Sequence, residues 1–304
     1  MDRFDLHILG CGSALPTRHH LPTSQILNVR EKLFMIDCGE GTQLQFRQTK
    51  LNFNKIYDIF ISHLHGDHCF GLIGMISTMG MLGRSATLTI HAHPDLESIL
   101  RPQLDFFCKE LPFEVKFASF NPSKSELIYE DRSIQVTTLP LKHRVQSTGF
   151  LFREQPRDRH IRKDMIDFCQ IPLKSIPGIK AGQDFVTEEG DIIPNWKLTL
   201  PPTPVKSYAY CSDTAYYEKI IPLIEGVDLL FHEATFGDSE LDRARNTQHS
   251  TASQAASIAN AAHVKKLIIG HYSARYNNEK ALLKEACQIF PNTVLANEGM
   301  MIEI

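Results

Sequence analysis

The sequence predicts a mixed α/β protein in which helices cover the faces of extensive β-sheet. Short β-branched or alternating apolar runs recur along all 304 residues. Segments of helical periodicity lie between some of them, as expected where helices shield sheet faces. Five of the apolar runs also end on a residue able to bind a metal or move a proton. Sheet proteins that gather reactive groups at strand ends are built this way.

The predicted strands, in order, are FDLHILG (4–10), KLFMIDCG (32–39), YDIFISH (57–63), ATLTIHAH (86–93), SIQVTTLPLKH (133–143), KSYAYCSD (206–213), VDLLFHEA (227–234), VKKLIIGH (264–271) and TVLANEGMMIEI (293–304). Each is rich in residues that fit a pleated, half-buried surface. Helical spacing marks TQLQFRQTKL (42–51), PDLESILRPQLDFFCKEL (94–111), TASQAASIANAAH (251–263) and NEKALLKEACQIF (278–290). No fixed-period repeat or low-complexity tract interrupts the pattern, so residues 1–304 read as a single domain. One stretch differs. From about 153 to 204 the periodicity fades and Pro, Gly and charge accumulate, which marks an insertion within the domain. Between Arg153 and Lys180 it holds seven Lys and Arg against four Asp and Glu.

Bulk composition bounds the function only loosely. Hydrophobic content of 42% and charged content of 22% are ordinary for a globular protein, and the formal net charge of −3 leaves local basic patches open. The seven cysteines are scattered, odd in number and without a CxxC pair. A disulfide framework or thiolate zinc finger is therefore not expected, and a reducing, cytoplasmic setting is. The N-terminus runs into a strand with no signal-peptide pattern. GLIGMISTMGMLG (71–83) is too short and glycine-rich to span a bilayer, so no membrane partner is expected. GCGSALP (10–16) lacks the GxGxxG spacing, so no nucleotide cofactor is implied.

The chemistry concentrates in HLHGDH, residues 63–68. His63 and His65, two apart, can present imidazoles to one cation, and Gly66 permits a turn that brings Asp67 and His68 toward a second. Further ligands stand at other strand ends: His143, Asp213 and His271. Asp213, with two carboxylate oxygens, is the natural bridge. Imidazole and carboxylate without thiolate suit zinc, with manganese or iron as outsiders. His91 and His93 mimic a ligand pair but have no third ligand nearby. His19, His20 and His160 read as surface residues, His263 as a helix end and His232 as a loop-structuring residue.

These residues carry a family resemblance. SHLHGDHCFG resembles the signature of the metallo-β-lactamase superfamily, which implies a four-layer αββα sandwich with a dinuclear site at one edge. GCGSALPT, FMIDCGEGTQLQ, LKHRVQSTGF, YCSDT, HEATF, QHSTASQAA and GHYSARY together resemble the ribonuclease Z family, with a match from about Leu6 to Ile304. HxHxDH is common to the superfamily, whereas HEAT with HST, and SARY after His271, are specific to this branch.

The resemblance implies one zinc ion on His63, His65 and His143, and a second on Asp67, His68 and His271, with Asp213 shared. It implies an endoribonuclease that removes the 3′ trailer from tRNA precursors by attack of a two-metal-activated hydroxide, leaving a 3′-hydroxyl on the tRNA and a 5′-phosphate on the trailer. Asp67 would also orient the attacking water. His249, oriented by Glu233, would protonate the departing ribose oxygen, and Ser250, Thr251 and the adjacent helix start would offer donors to a phosphate. The family is commonly a homodimer with a protruding basic arm, the place of residues 153–204 here. Two stretches depart from its pattern. PTRHHLPTSQ (16–25) keeps Arg18 but lacks the usual arginine-asparagine pair, and CQIPLKSIPGIKAGQDF (169–185) lacks an intact glycine-proline tip. The competing reading is a small-molecule phosphodiesterase or arylsulfatase-like hydrolase on the same metal core. A scaffold protein with a decayed site is disfavoured, since every expected ligand is present.

Overall fold

Alternation along the strand Lys32–Cys38 sorts the core into layers. Phe34 and Ile36 enter one buried cluster and Leu33 and Met35 another, as a period of two requires. Both faces of this strand's sheet are therefore covered. The computed structural model describes residues 3–304, so the first two residues of the expected domain lie outside the described residues. The first sheet has seven strands in the spatial order Met301–Glu303, Phe4–Gly10, Ser24–Val29, Lys32–Cys38, Ile56–Phe60, Leu88–Ala92 and Val115–Ser119. Its last four strands run parallel. The second sheet, also seven-stranded, is ordered Thr293–Leu295, Lys266–Gly270, Leu229–Glu233, Ser207–Cys211, Thr148–Glu154, Ile134–Pro140 and Leu127–Glu130. Its first four strands are parallel, and Ser207–Cys211 pairs antiparallel with Thr148–Glu154.

Helices close the outer faces. Thr42–Gln48, Leu72–Met81 and Asp95–Phe107 bury Phe46, Met75, Ile76, Met79, Leu96, Leu100 and Leu104 against the first sheet. Ala252–Ala261 and Lys280–Ile289 bury a small-residue face, including Ala255, Ala256, Ala259 and Ala286, beside the second. The order helix, sheet, sheet, helix is the expected four-layer sandwich. Leu72–Met81 was not expected as a helix. Its buried residues Leu72, Met75, Ile76 and Met79 follow helical spacing within the run judged only for membrane spanning.

Residues Glu154–Val205 form a second compact unit. It contains short helices at Lys163–Phe168 and Ile176–Lys180 and two two-stranded ladders, around a small cluster of Ile171, Ile179, Phe185 and Leu198. Elements of two to six residues are too short to show a period, which is why the sequence pattern fades here. The unit holds seven Lys and Arg but eight Asp and Glu. Its basic excess lies in the first half, between Arg153 and Lys180, as expected from the sequence, and is balanced by acidic residues in the second.

Candidate active site

The ends of parallel strands converge, as the sequence pattern predicts. His63 lies just past Ile56–Phe60, Asp213 past Ser207–Cys211, Glu233 at the end of Leu229–Glu233 and His271 after Lys266–Gly270. Asp213 and His271 turn with φ of 54° and 62°, a left-handed conformation that residues other than glycine seldom adopt. Such strain clusters where side chains must be aimed at one point. His65 is extended (φ −70°, ψ 149°), and one helical turn, Gly66–Cys69, then carries Asp67 and His68. Gly66 needs no left-handed φ. A Cβ there would meet the Phe70 ring at 2.2 Å, and a Cβ on Gly39 would stand 2.5 Å from the Asp67 carbonyl oxygen. Close approach to backbone selects glycine at Gly39, whereas the contact at Gly66 is with the exposed Phe70 ring, which can turn aside.

All seven expected ligands meet, in two groups. His63, His65, His143 and Asp213 bring ligand atoms within 4.8 Å of one another, as do Asp67, His68 and His271. Asp213 faces both. Its Oδ2 lies 3.5 Å from His63 Nε2 and 3.6 Å from His143 Nε2, and its Oδ1 lies 3.1 Å from His68 Nε2 and 3.0 Å from His271 Nε2. Asp67 Oδ2 is 3.4 Å from both His68 Nε2 and His271 Nε2.

Hydrogen bonds behind the rings settle which nitrogen faces the centre. His143 Nδ1–H donates to the Gln248 carbonyl at 2.9 Å, and His68 Nδ1–H to Asp37 Oδ2 at 2.7 Å. The Ser62 hydroxyl donates to Asp37 at 2.9 Å, so it accepts from His63 Nδ1 at 3.1 Å. The Thr235 hydroxyl donates to Glu233 Oε2 at 2.6 Å and accepts from His271 Nδ1 at 2.8 Å. Every one of these rings therefore turns a bare Nε2 inward. The Nε2 atoms of His68, His143 and His271 are buried and have no hydrogen-bond partner among the described residues. His63 Nε2 and His65 Nδ1 face each other at 2.9 Å. Bare imidazole nitrogens beside carboxylates, each backed by a polar partner, are the arrangement a divalent cation completes.

The local charges tell the same story. Burial pushes the imidazoles of His63 and His143 below their ordinary range, keeping them neutral as ligands must be. Burial alone would raise the Asp213 carboxyl, but His271, His68 and His63 outweigh it and hold it well below the carboxylate range. Burial likewise disfavours charge on His68, yet Asp213, Asp37 and Asp67 outweigh it and draw a proton toward Nε2 when no metal is there, the positive charge that a bound cation would supply instead. The pocket asks for cations.

A proton-transfer pair stands beside the ligands. His249 Nδ1 is 2.8 Å from Glu233 Oε1, and its ring centroid lies 4.8 Å from that of His143 and 5.4 Å from that of His271. Burial works against a charge on His249, but the neighbouring Glu233 carboxylate prevails and lifts it to about 9. The imidazole is thereby held protonated at neutral pH, with Nε2 left for a substrate. His249, His65, Asp67 and Asp213 line a cleft of about 490 Å³, walled on one side by Ser13, Ala14 and Pro16.

Several expectations fail here for clear reasons. Ser250 and Thr251 are fully buried and committed, Ser250 to the Thr214 carbonyl and Thr251 as the cap of helix Ala252–Ala261, so neither side chain offers a donor to a phosphate. His20 is not a surface residue. Its side chain is 11% exposed, with Nδ1 on Glu298 at 2.9 Å and Nε2 facing Glu279 at 3.3 Å. That pair ties the loop before Pro22 to the C-terminal segments. His91 is paired with Asp58 at 2.9 Å and stacked on Phe60, away from any ligand group.

Asp37 is a further residue of the site, outside the pattern of candidate ligands. It is fully buried and accepts from Ser62 N–H (2.7 Å), the Ser62 hydroxyl, the Tyr210 hydroxyl (2.5 Å) and His68 Nδ1–H. Its signal was available, since FMID is a sixth apolar strand ending in a polar residue. Asp37→Ala is expected to weaken metal binding by about 10- to 100-fold, read by competition with a chromogenic chelator. Unchanged affinity would mean that His68 orients itself.

Comparison with known proteins places these residues in a family. A family model described as "Anti-Pycsar protein Apyc1" matches residues 4–165, which include His63–His68 and His143 but stop short of Asp213, Glu233, His249 and His271. The solved structure of human tRNase Z, short form, superposes with a TM-score of 0.70 at 24% identity, covering 98% of each chain. The metallo-β-lactamase fold protein YhfI from Bacillus subtilis gives 0.69 at 19% identity, covering 100% of each. Both show the same fold. Ribonuclease Z of Phocaeicola vulgatus is 59% identical over 304 residues, spanning 100% of this chain and 98% of that protein. With identity at that level along the whole length of the sequence, the chain belongs to the ribonuclease Z family, metal-dependent endoribonucleases with the metallo-β-lactamase fold.

Proposed function

We propose that this protein removes the 3′ trailer from tRNA precursors, leaving a 3′-hydroxyl on the tRNA and a 5′-phosphate on the trailer. The observation that carries the reading is the division of seven ligands into two groups across Asp213, with the His249–Glu233 pair alongside. His63, His65 and His143 would hold one zinc ion, Asp67, His68 and His271 the other, with Asp213 shared. The nitrogen and oxygen donors favour zinc over manganese or iron. When bound, such cations lower the pKa of water toward neutrality and offset charge on the phosphoryl group.

The chain's own residues do the rest. Asp67, on the cleft wall, accepts a hydrogen bond from the attacking water and orients it. Glu233 holds the Nδ1 proton of His249, so Nε2 gives its proton to the departing ribose oxygen. Thr235 and Asp37 keep His271 and His68 in the ligating tautomer. The protein would act in the cytoplasm, in keeping with seven unpaired cysteines, and as a homodimer, as the family resemblance implies.

Residues Glu154–Val205 would serve as the substrate-gripping arm. Arg153 and Ser207 are register partners on adjacent strands, so a short turn can replace residues 156–204. That deletion is expected to raise KM for a precursor tRNA by roughly tenfold or more, about 1.4 kcal/mol of lost contacts, with a far smaller effect on bis(p-nitrophenyl) phosphate. Equal losses would make the unit part of the catalytic body. The direct test of the function is incubation of a 3′-extended precursor tRNA with the protein, with and without a chelator. One chelator-sensitive cut after the discriminator nucleotide supports the reading. Turnover of the small ester alone would transfer the protein to the small-molecule hydrolases of the same fold.

A further inference from the structure

We propose that Arg144 is a positioning residue that grips a phosphate flanking the scissile one, so that the cleft selects a nucleotide chain over an isolated phosphodiester. The inference rests on the RNA-cleaving reading above and deepens it. Among the described residues lining the cleft, Arg144 is the single lysine or arginine. It follows His143 directly, and that ring is pinned by its bond to the Gln248 carbonyl, so the backbone at Arg144 has a fixed position at the rim. The side chain is exposed and makes no hydrogen bond or ion pair among the described residues, although the carboxylates of Glu40 and Asp67 line the same cleft.

A guanidinium unspent on protein carboxylates, at the mouth of a cation-demanding cleft, is matched to a phosphate. Its planar fork binds two phosphate oxygens at once. The scissile phosphate is already served by the ligand groups and His249 deeper in the cleft. The group at the rim is placed for the next phosphate, where the chain enters or leaves. A small diester has no such phosphate.

The test compares wild type, Arg144→Ala and Arg144→Lys in kcat/KM on bis(p-nitrophenyl) phosphate and in Ki for a short oligoribonucleotide inhibiting that turnover, at several salt concentrations. For Arg144→Ala the oligonucleotide Ki is expected to rise about tenfold more than kcat/KM on the small ester falls, and the salt slope of binding to drop by about 0.7, one phosphate contact on a single strand. Arg144→Lys should restore the slope and part of the affinity. Equal losses on ester and oligonucleotide, or an unchanged Ki and slope, would overturn the proposal. Because Ki is read on the small ester, a wild-type protein that fails to cut precursor tRNA would refute the processing reading separately, leaving the Arg144 result to stand or fall alone.

Discussion

Asp213→Ala is expected to lower turnover of precursor tRNA and of bis(p-nitrophenyl) phosphate alike by about 10³-fold or more, the equivalent of roughly 4 kcal/mol of transition-state stabilisation. The size of the effect follows from position. Asp213 is the one side chain whose two oxygens face both ligand groups, at 3.0–3.6 Å from four imidazole nitrogens. Removing it also leaves those nitrogens without the anion that makes cation binding favourable. Bound metal, measured by plasma emission after desalting, should fall with activity. Full metal content with lost activity would make Asp213 a substrate-positioning group, and full activity would dismantle the two-group assignment.

His249→Ala is expected to separate rate from metal. The ring stands beside the ligands but its Nδ1 belongs to Glu233, so metal content should stay near that of the wild type. Loss of a positioned general acid costs about 10²- to 10⁴-fold in kcat. The loss should be largest on precursor tRNA, whose departing ribose oxygen needs a proton, and smaller on a nitrophenyl ester, whose leaving group is stable as an anion. A comparable loss on both substrates would argue that His249 acts on the phosphate rather than on the leaving group. A fall in metal content would make it a ligand.

How much of this was legible in the sequence depends on the length scale of each signal. The strand-end residues were, because an apolar run of five or more residues that stops on His or Asp is a local pattern, and the four-layer sandwich was implied by the motifs those residues form. The side of each ring that faces the cations was not. It depends on Gln248 and Thr235, whose bonds to His143 and His271 exist only once distant loops meet, and on Ser62, adjacent to His63 but oriented by the distant Asp37. Asp37 lies between these cases, with a strand-end signal but a role visible only when Tyr210 and His68 are brought to it. His20 was misplaced because its partners Glu279 and Glu298 are more than 250 residues away in sequence. The Glu154–Val205 unit was visible as an insertion, while its internal fold was hidden by elements shorter than the periods used to find them.

The most direct test of the central claim is crystallography of zinc-loaded protein with data collected on both sides of the zinc absorption edge. Two anomalous peaks per chain are predicted, one among His63, His65 and His143 and one among Asp67, His68 and His271, each in contact with an Asp213 oxygen. A single peak in a fully active protein, or two peaks that do not share Asp213, would contradict the account.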